Sequence, residues 1–192
     1  GERNLLNSDC AVEAAGPEDA PAILMMHGAS FSAQTWVDLG TLRHLADKGF
    51  WAVAVDCPGY GKSEAAQVSA EEFVPAVIEE LGLDRPVILA ASMSGTFAFP
   101  VLHERPELIR GFVGIAPALT ESYAPKLEGC QVPSLILWGS ADTIFDVSQA
   151  DLLEKSLVNS KKIVFDGAPH PLYLERTDEF HEALVTFLES VR

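Results

Sequence analysis

The chain has 192 residues, 48% of them apolar and 21% charged, a balance that supports a globular core and excludes wholesale disorder. Its 13 Lys+Arg against 28 Asp+Glu leave a net charge of −15, which repels phosphate backbones and anionic membrane surfaces, so no nucleic-acid binding is expected. No apolar run reaches the roughly 18 residues of a membrane-spanning helix.

The first twenty residues read as an irregular segment. Asn7-Ser8-Asp9 and Gly16-Pro17-Glu18-Asp19 are turn signals, and only a short strand fits between them. Beyond it, short apolar runs predict strands at 22–26, 51–55, 87–91, 112–115, 134–138 and 161–165. Most are near-continuous in apolar residues, as strands buried on both faces are. Helical patterns alternate with them. Leu39, Leu42 and Leu45 form a stripe that stops at Gly49. Ser69 followed by Glu72 is a capping box, with Phe73, Val77 and Leu81 on one face behind it. Phe180, Leu184, Phe187 and Val191 repeat the pattern at the C-terminus. Pro75 and Pro100 fall inside predicted helices, which should kink or begin late. Strands alternating with helices imply crossover units and a mostly parallel sheet, hence a single α/β domain over 1–192.

The chain starts at Gly1 with no initiator Met and no signal-peptide apolar stretch, so removal of an upstream segment is expected. Cys10, Cys57 and Cys130 lie too far apart for a disulfide framework or a zinc site. A reducing compartment, cytoplasmic or nuclear, is the expectation, with no metal and no cofactor.

The chemistry-bearing residues fall at strand ends. The strand 87–91 runs into Ser92-Met93-Ser94-Gly95, a serine with small residues two positions to either side (Ala90, Ser94) before a helix. That is the steric pattern of a nucleophile elbow without its two glycines; a plain helix cap is the alternative. Gly139-Ser140-Ala141-Asp142 follows the strand 134–138, and Gly167-Ala168-Pro169-His170 follows 161–165. In open parallel sheets functional groups collect at the carboxyl ends of strands. Asp142 is the candidate acid, with Asp146 and Asp166 as rivals, and His170 the candidate base. After the first parallel strand, His27-Gly28-Ala29-Ser30-Phe31 can present backbone amides. The amides of Ala29 and Met93 would form a two-donor oxyanion hole, and His27 would shape that loop. Ser30, Ser32, Phe31 and Trp36 either line a pocket or cap and staple the next helix. Asp56-Cys57-Pro58-Gly59-Tyr60-Gly61-Lys62-Ser63 reads as a structural loop. His44, His103 and His181 read as surface or packing residues.

These elements, in this order over residues 22 to about 175, resemble the α/β-hydrolase fold family. The segments His27–Trp36, Leu39–Leu42, Asp56–Ser63, Ser92–Gly95, Gly139–Asp142 and Gly167–Leu174 are similar to one capless subgroup, the alpha/beta-hydrolase domain-containing protein 14 group. The resemblance implies a Ser92 nucleophile, a His170 base, an Asp142 orienting acid, and hydrolysis of small activated esters or deacylation of proteins. Residues 119–133 are too few for the helical cap that many relatives insert after the fourth parallel strand, so an open site is expected. The expected partner is a small acyl ester or an acylated carrier; no protein partner is indicated. Transfer of the acyl group to a non-water acceptor such as a thiol, and a non-catalytic binding module on the same fold, are the alternatives.

Overall fold

The computed structural model describes residues 2–5, 8–61 and 68–192. Asn7 of the first expected turn, and Lys62 and Ser63 of the 56–63 loop, lie outside the described residues. Among the described residues the strands are β1 (Glu2–Leu5), β2 (Ser8–Ala15), β3 (Ala22–Met25), β4 (Trp51–Val55), β5 (Val87–Ala91), β6 (Gly111–Ile115), β7 (Ser134–Gly139) and β8 (Ser160–Phe165). They form one sheet in the order β1-β2-β4-β3-β5-β6-β7-β8. β2 pairs antiparallel with β1 and with β4, and every pairing from β4 through to β8 is parallel.

The six predicted strands stand within one residue of their expected ends. The N-terminal segment differs from expectation. Ser8 and Asp9 lie in a strand of eight residues instead of a turn, and β1 was not anticipated. The first part of β2 pairs with β1 and the second part with β4, Val12 facing Val55. Ladder hydrogen bonds of this kind override the weak strand preference of Ser and Asp. β8 is the far edge of the sheet and buries only Phe165, which accommodates Lys161 and Lys162.

The helices are α1 (Ala33–Asp38), α2 (Thr41–Asp47), α3 (Ala70–Glu80), α4 (Gly95–Glu104), α5 (Thr120–Tyr123), α6 (Ser148–Ser156), α7 (Leu172–Glu175) and α8 (Thr177–Ser190). The Leu39–Leu42–Leu45 stripe spans two helices, because Gly40 takes φ +74° between α1 and α2. Ser69 does precede α3, but its hydroxyl makes no cap bond; its carbonyl accepts from Glu72 N–H at 3.1 Å instead. α3 and α4 run through Pro75 and Pro100.

Successive residues of a strand point to opposite faces, and the core divides accordingly. Leu24, Val53, Ile88 and Ile136 pack with α3, α4 and α6, while Ile23, Ala52, Leu89 and Leu137 pack with α1, α2 and α8. The sheet is thus buried between two helical layers, and its parallel strands release their loops at one common edge. Residues 119–133 hold only α5, a 3-10 turn and loop, so among the described residues this segment supplies no cap over that edge. Among the described residues no helix is long and apolar enough to cross a membrane.

Candidate active site

β5 ends at Ala91, and the chain then reverses sharply: Ser92 sits at φ +50°. A non-glycine residue there is strained, and three contacts hold it. Ser94 Oγ accepts from Ala91 N–H and donates to Ala91 O, both at 2.9 Å. Ala118 N–H donates to Ser92 O at 2.7 Å. Ala118 can approach because Gly95 has no side chain; a Cβ there would lie 2.4 Å from Ala118 O. The second small residue of the elbow is therefore a brace, a role its size alone did not reveal.

β7 and β8 end side by side, and their loops are joined. Ala141 N–H donates to Ala168 O at 3.0 Å and Gly167 N–H to Ser140 Oγ at 2.6 Å. A Cβ at Gly139 would lie 2.2 Å from Ala168 O, so glycine is what permits the approach. The Asp142 side chain is fully buried. Its Oδ1 accepts from Ile144 N–H at 2.8 Å and Phe145 N–H at 2.9 Å, an Asx turn. Its Oδ2 accepts from His170 Nδ1–H at 2.6 Å. With that nitrogen protonated, His170 Nε2 is the acceptor, and Ser92 Oγ donates to it at 2.7 Å. The Phe145 ring packs edge-on against the imidazole, centroids 5.5 Å apart. Ser92, His170 and Asp142 form one chain of hydrogen bonds ending on a half-buried hydroxyl. An imidazole held in this tautomer beside a hydroxyl can take its proton as the oxygen attacks an electrophile.

The rival acids are placed elsewhere. Asp146 is exposed; the Ser148 hydroxyl, and then the Ser148 N–H that donates to it at 3.0 Å, hold its carboxyl below the usual range. Asp166 meets the Ser140 hydroxyl at 3.4 Å. Asp146 likewise bonds the amide two residues on, so what sets Asp142 apart is its further bond to Phe145 N–H and its contact with His170.

Gly28 lies against the elbow, since a Cβ on it would come within 3.5 Å of Ser92 Cβ. Phe31 N–H donates to Gly28 O at 3.1 Å, turning the chain through exposed Ala29 and Ser30. Met93 directly follows Ser92 in a 3-10 turn. Phe31 is half-buried with its ring against Tyr173, 5.9 Å between centroids. Ser32 is the helix cap, accepting from Gln34 N–H at 3.2 Å. Trp36 takes the packing alternative to a pocket wall: it is fully buried, its ring tilted against Tyr173 and Phe180 with centroids 5.0 and 5.8 Å away. Three aromatic rings meeting between α1, α7 and α8 leave it no exposed face. Tyr173 was missed; burial pushes its phenol up and keeps it protonated. The loop after β4 is structural where described, with Asp56 Oδ1 accepting from Ala33 N–H at 2.8 Å. Among the described residues no group of three or more His, Cys, Asp or Glu could hold a metal ion.

Comparison with known proteins agrees with this architecture. The family model for the alpha/beta hydrolase fold matches residues 21–129. A Rattus norvegicus protein named "Putative protein-lysine deacylase ABHD14B" is 37% identical over 178 residues, covering 88% of this chain and 84% of its own. "Protein ABHD14A" of Danio rerio is 36% identical over 189 residues, 94% of this chain and 69% of its own. The crystal structure of a "predicted CIB-like hydrolase" from Thermoplasma acidophilum shares the fold at TM-score 0.93 and 24% identity, over 99% of this chain and 98% of that one. The chain belongs to the α/β-hydrolase fold family, in the group that includes ABHD14A and ABHD14B.

Proposed function

We propose that the protein is a serine hydrolase of the esterase or deacylase type, acting on short acyl groups. Ser92 Oγ attacks the acyl carbonyl while its proton passes to His170 Nε2. Asp142 stabilises the imidazolium and holds its orientation. The backbone amides of Ala29 and Met93 receive the oxyanion, each worth about 10²–10³ in rate. Collapse of the tetrahedral intermediate breaks the bond to the leaving group, which takes the proton from His170. Water then attacks the acyl-Ser92 ester with His170 again as base, and the acid is released. The observation carrying this reading is the hydrogen-bond chain from Ser92 through His170 to Asp142, at 2.7 and 2.6 Å. An uncapped edge suits an acyl group presented on a large carrier, and the rat relative's name offers acylated protein lysine as that class.

Turnover of a short aryl acetate by wild type and Ser92→Ala tests the proposal, together with the site labelled by a fluorophosphonate. The variant should lose at least about 10⁴-fold in kcat, and the label should sit on Ser92. Equal rates, or labelling elsewhere, overturn it.

A further inference from the structure

β8 closes one side of the sheet, and the backbone groups it leaves over are specific. Ser134 N–H donates to Asn159 O and Ser140 N–H to Phe165 O, both at 3.0 Å. Backbone groups of successive strand residues point to opposite sides, so 159, 161, 163 and 165 face β7. Lys162 and Val164 therefore turn their N–H and C=O groups outward, which makes this edge a template for a further strand. Past them, Arg176 Nη2 occupies the Asp166 carbonyl and ends the free edge. Lys161, Ile163 and Phe165 form one wall of a groove of ≈ 750 Å³, and Glu179, Glu182 and Phe187 of α8 form the other. Charge is separated along it. Lys161 is exposed at one end. Glu179 stands at the other, because Arg176 bonds both its carboxylate and the Asp166 carbonyl just past Phe165. Lys162 is engaged on the opposite face by Asp151 and Glu154 of α6.

We propose that a second copy of this chain docks on the β8 edge, antiparallel about a two-fold axis through Ile163, so that one sheet continues across both molecules. An antiparallel partner must set outward-facing residues against outward-facing residues. With Ile163 opposite its own copy, Lys162 stands opposite Val164 of the second copy, and the two exchange both backbone bonds. The same register puts Lys161 opposite Phe165 of the second copy, hence beside its Glu179, and the symmetry repeats the contact. Half-buried Ile163 and Val164, 41% exposed, leave water together. A parallel pairing in the same register sets lysine against lysine instead. One segment thus supplies both halves of the complementarity, which is what favours a second copy over an unrelated strand. The catalytic loops lie at the strand ends, so this association leaves Ser92 open and does not depend on the acyl-transfer reading.

Sedimentation velocity from about 1 to about 200 μM, in about 0.15 M salt to screen distant charges, reads the association. Wild type should pass from monomer to dimer over that range. Val164→Pro removes an N–H that the β7 ladder does not use, a position where an edge strand tolerates proline. It should remain monomeric throughout, with the circular dichroism of wild type. Lys161→Glu should raise the dimer Kd about tenfold, and adding Glu179→Lys to it should recover most of that loss. Should the proline variant fail to fold, the charge reversal and its rescue decide alone. A wild type that stays monomeric leaves the edge to an extended segment of another protein and overturns the proposal. A dimer that withstands Val164→Pro overturns it as well, and so does a double variant no tighter than Lys161→Glu.

Discussion

Ser92 is held at φ +50° by its neighbours, a conformation that costs a non-glycine residue about 1–3 kcal/mol. Gly95 is the point at which that support is most exposed to mutation. Its backbone is ordinary α-helix, so space is what glycine supplies there. A Cβ would meet Ala118 O at 2.4 Å and Ala118 N at 2.9 Å, displacing the amide that bonds Ser92 O. Gly95→Ala should lower unfolding free energy by about 1–3 kcal/mol in chemical denaturation, the usual range for overpacking, and slow fluorophosphonate labelling of Ser92. A variant as stable and as reactive as wild type would mean that the Ala118 contact does not support the elbow. Ser92, Asp142 and His170 were legible in the sequence because each lies directly after an apolar strand. The sequence favours Asp142 over Asp146 and Asp166 because it follows the strand on a glycine loop; its 2.6 Å contact with His170 Nδ1 comes from how the folded loops lie together.

α2 and α8 meet through two imidazoles that the sequence marked only as surface or packing residues. The His44 and His181 rings stack, 4.9 Å apart and 16° from parallel, and His181 Nε2 shares a hydrogen bond of 2.9 Å with Thr41 Oγ1. Lys48, just past α2, and Asp178 and Glu182 on α8 line the same hollow. Burial, then the neighbouring His44, lower the His181 pKa from 6.5, against the opposing pull of Asp178. His27 shifts the same way, through burial. Both groups bind protons more readily in the unfolded chain. Their contribution to stability is complete above pH 6.5 and declines as the pH falls below it toward the folded values. Thermal unfolding should therefore occur at lower temperature as the pH drops from about 7 to about 5. His181→Gln keeps a polar group near Thr41 but cannot take up a proton, so its loss over that interval should be smaller. An undiminished loss would place the acid sensitivity elsewhere. The stripes of α2, α3 and α8 were readable from helical spacing. The break at Gly40 was not, because a left-handed residue between two short helices leaves the leucine spacing intact.

For the molecule as a whole, the shortness of the segment between β6 and β7 has the largest functional consequence. Residues 119–133 offer one turn of α-helix, a 3-10 turn and loop above the sheet edge. Trp36 is fully buried with its ring against Tyr173, so it presents no exposed face there. A long acyl chain at such a site stays largely in water and forgoes the ≈ 0.8 kcal/mol that each buried CH₂ would contribute. Across aryl esters of increasing chain length, kcat/KM should favour acetyl over chains of about eight carbons or more. The reverse ranking would overturn the open-site reading.

The amino-acid sequence alone determined the six parallel strands, the helical stripes between them, and the placing of a serine, an aspartate and a histidine just past strand ends. Each is a local property, set by side-chain periodicity and by which residues follow one another along the backbone. Tertiary structure decided the rest. It extended β2 by pairing it with β1 and β4, buried Trp36, brought Asp142 to His170, and set Cys57 N–H against His27 Nε2. These outcomes depend on partners distant in sequence: 78 residues separate the Ser92 hydroxyl from its imidazole and 30 separate His27 from Cys57. Hydrogen bonding and burial act on proximity in space, which only the packed sheet and its two helical layers create.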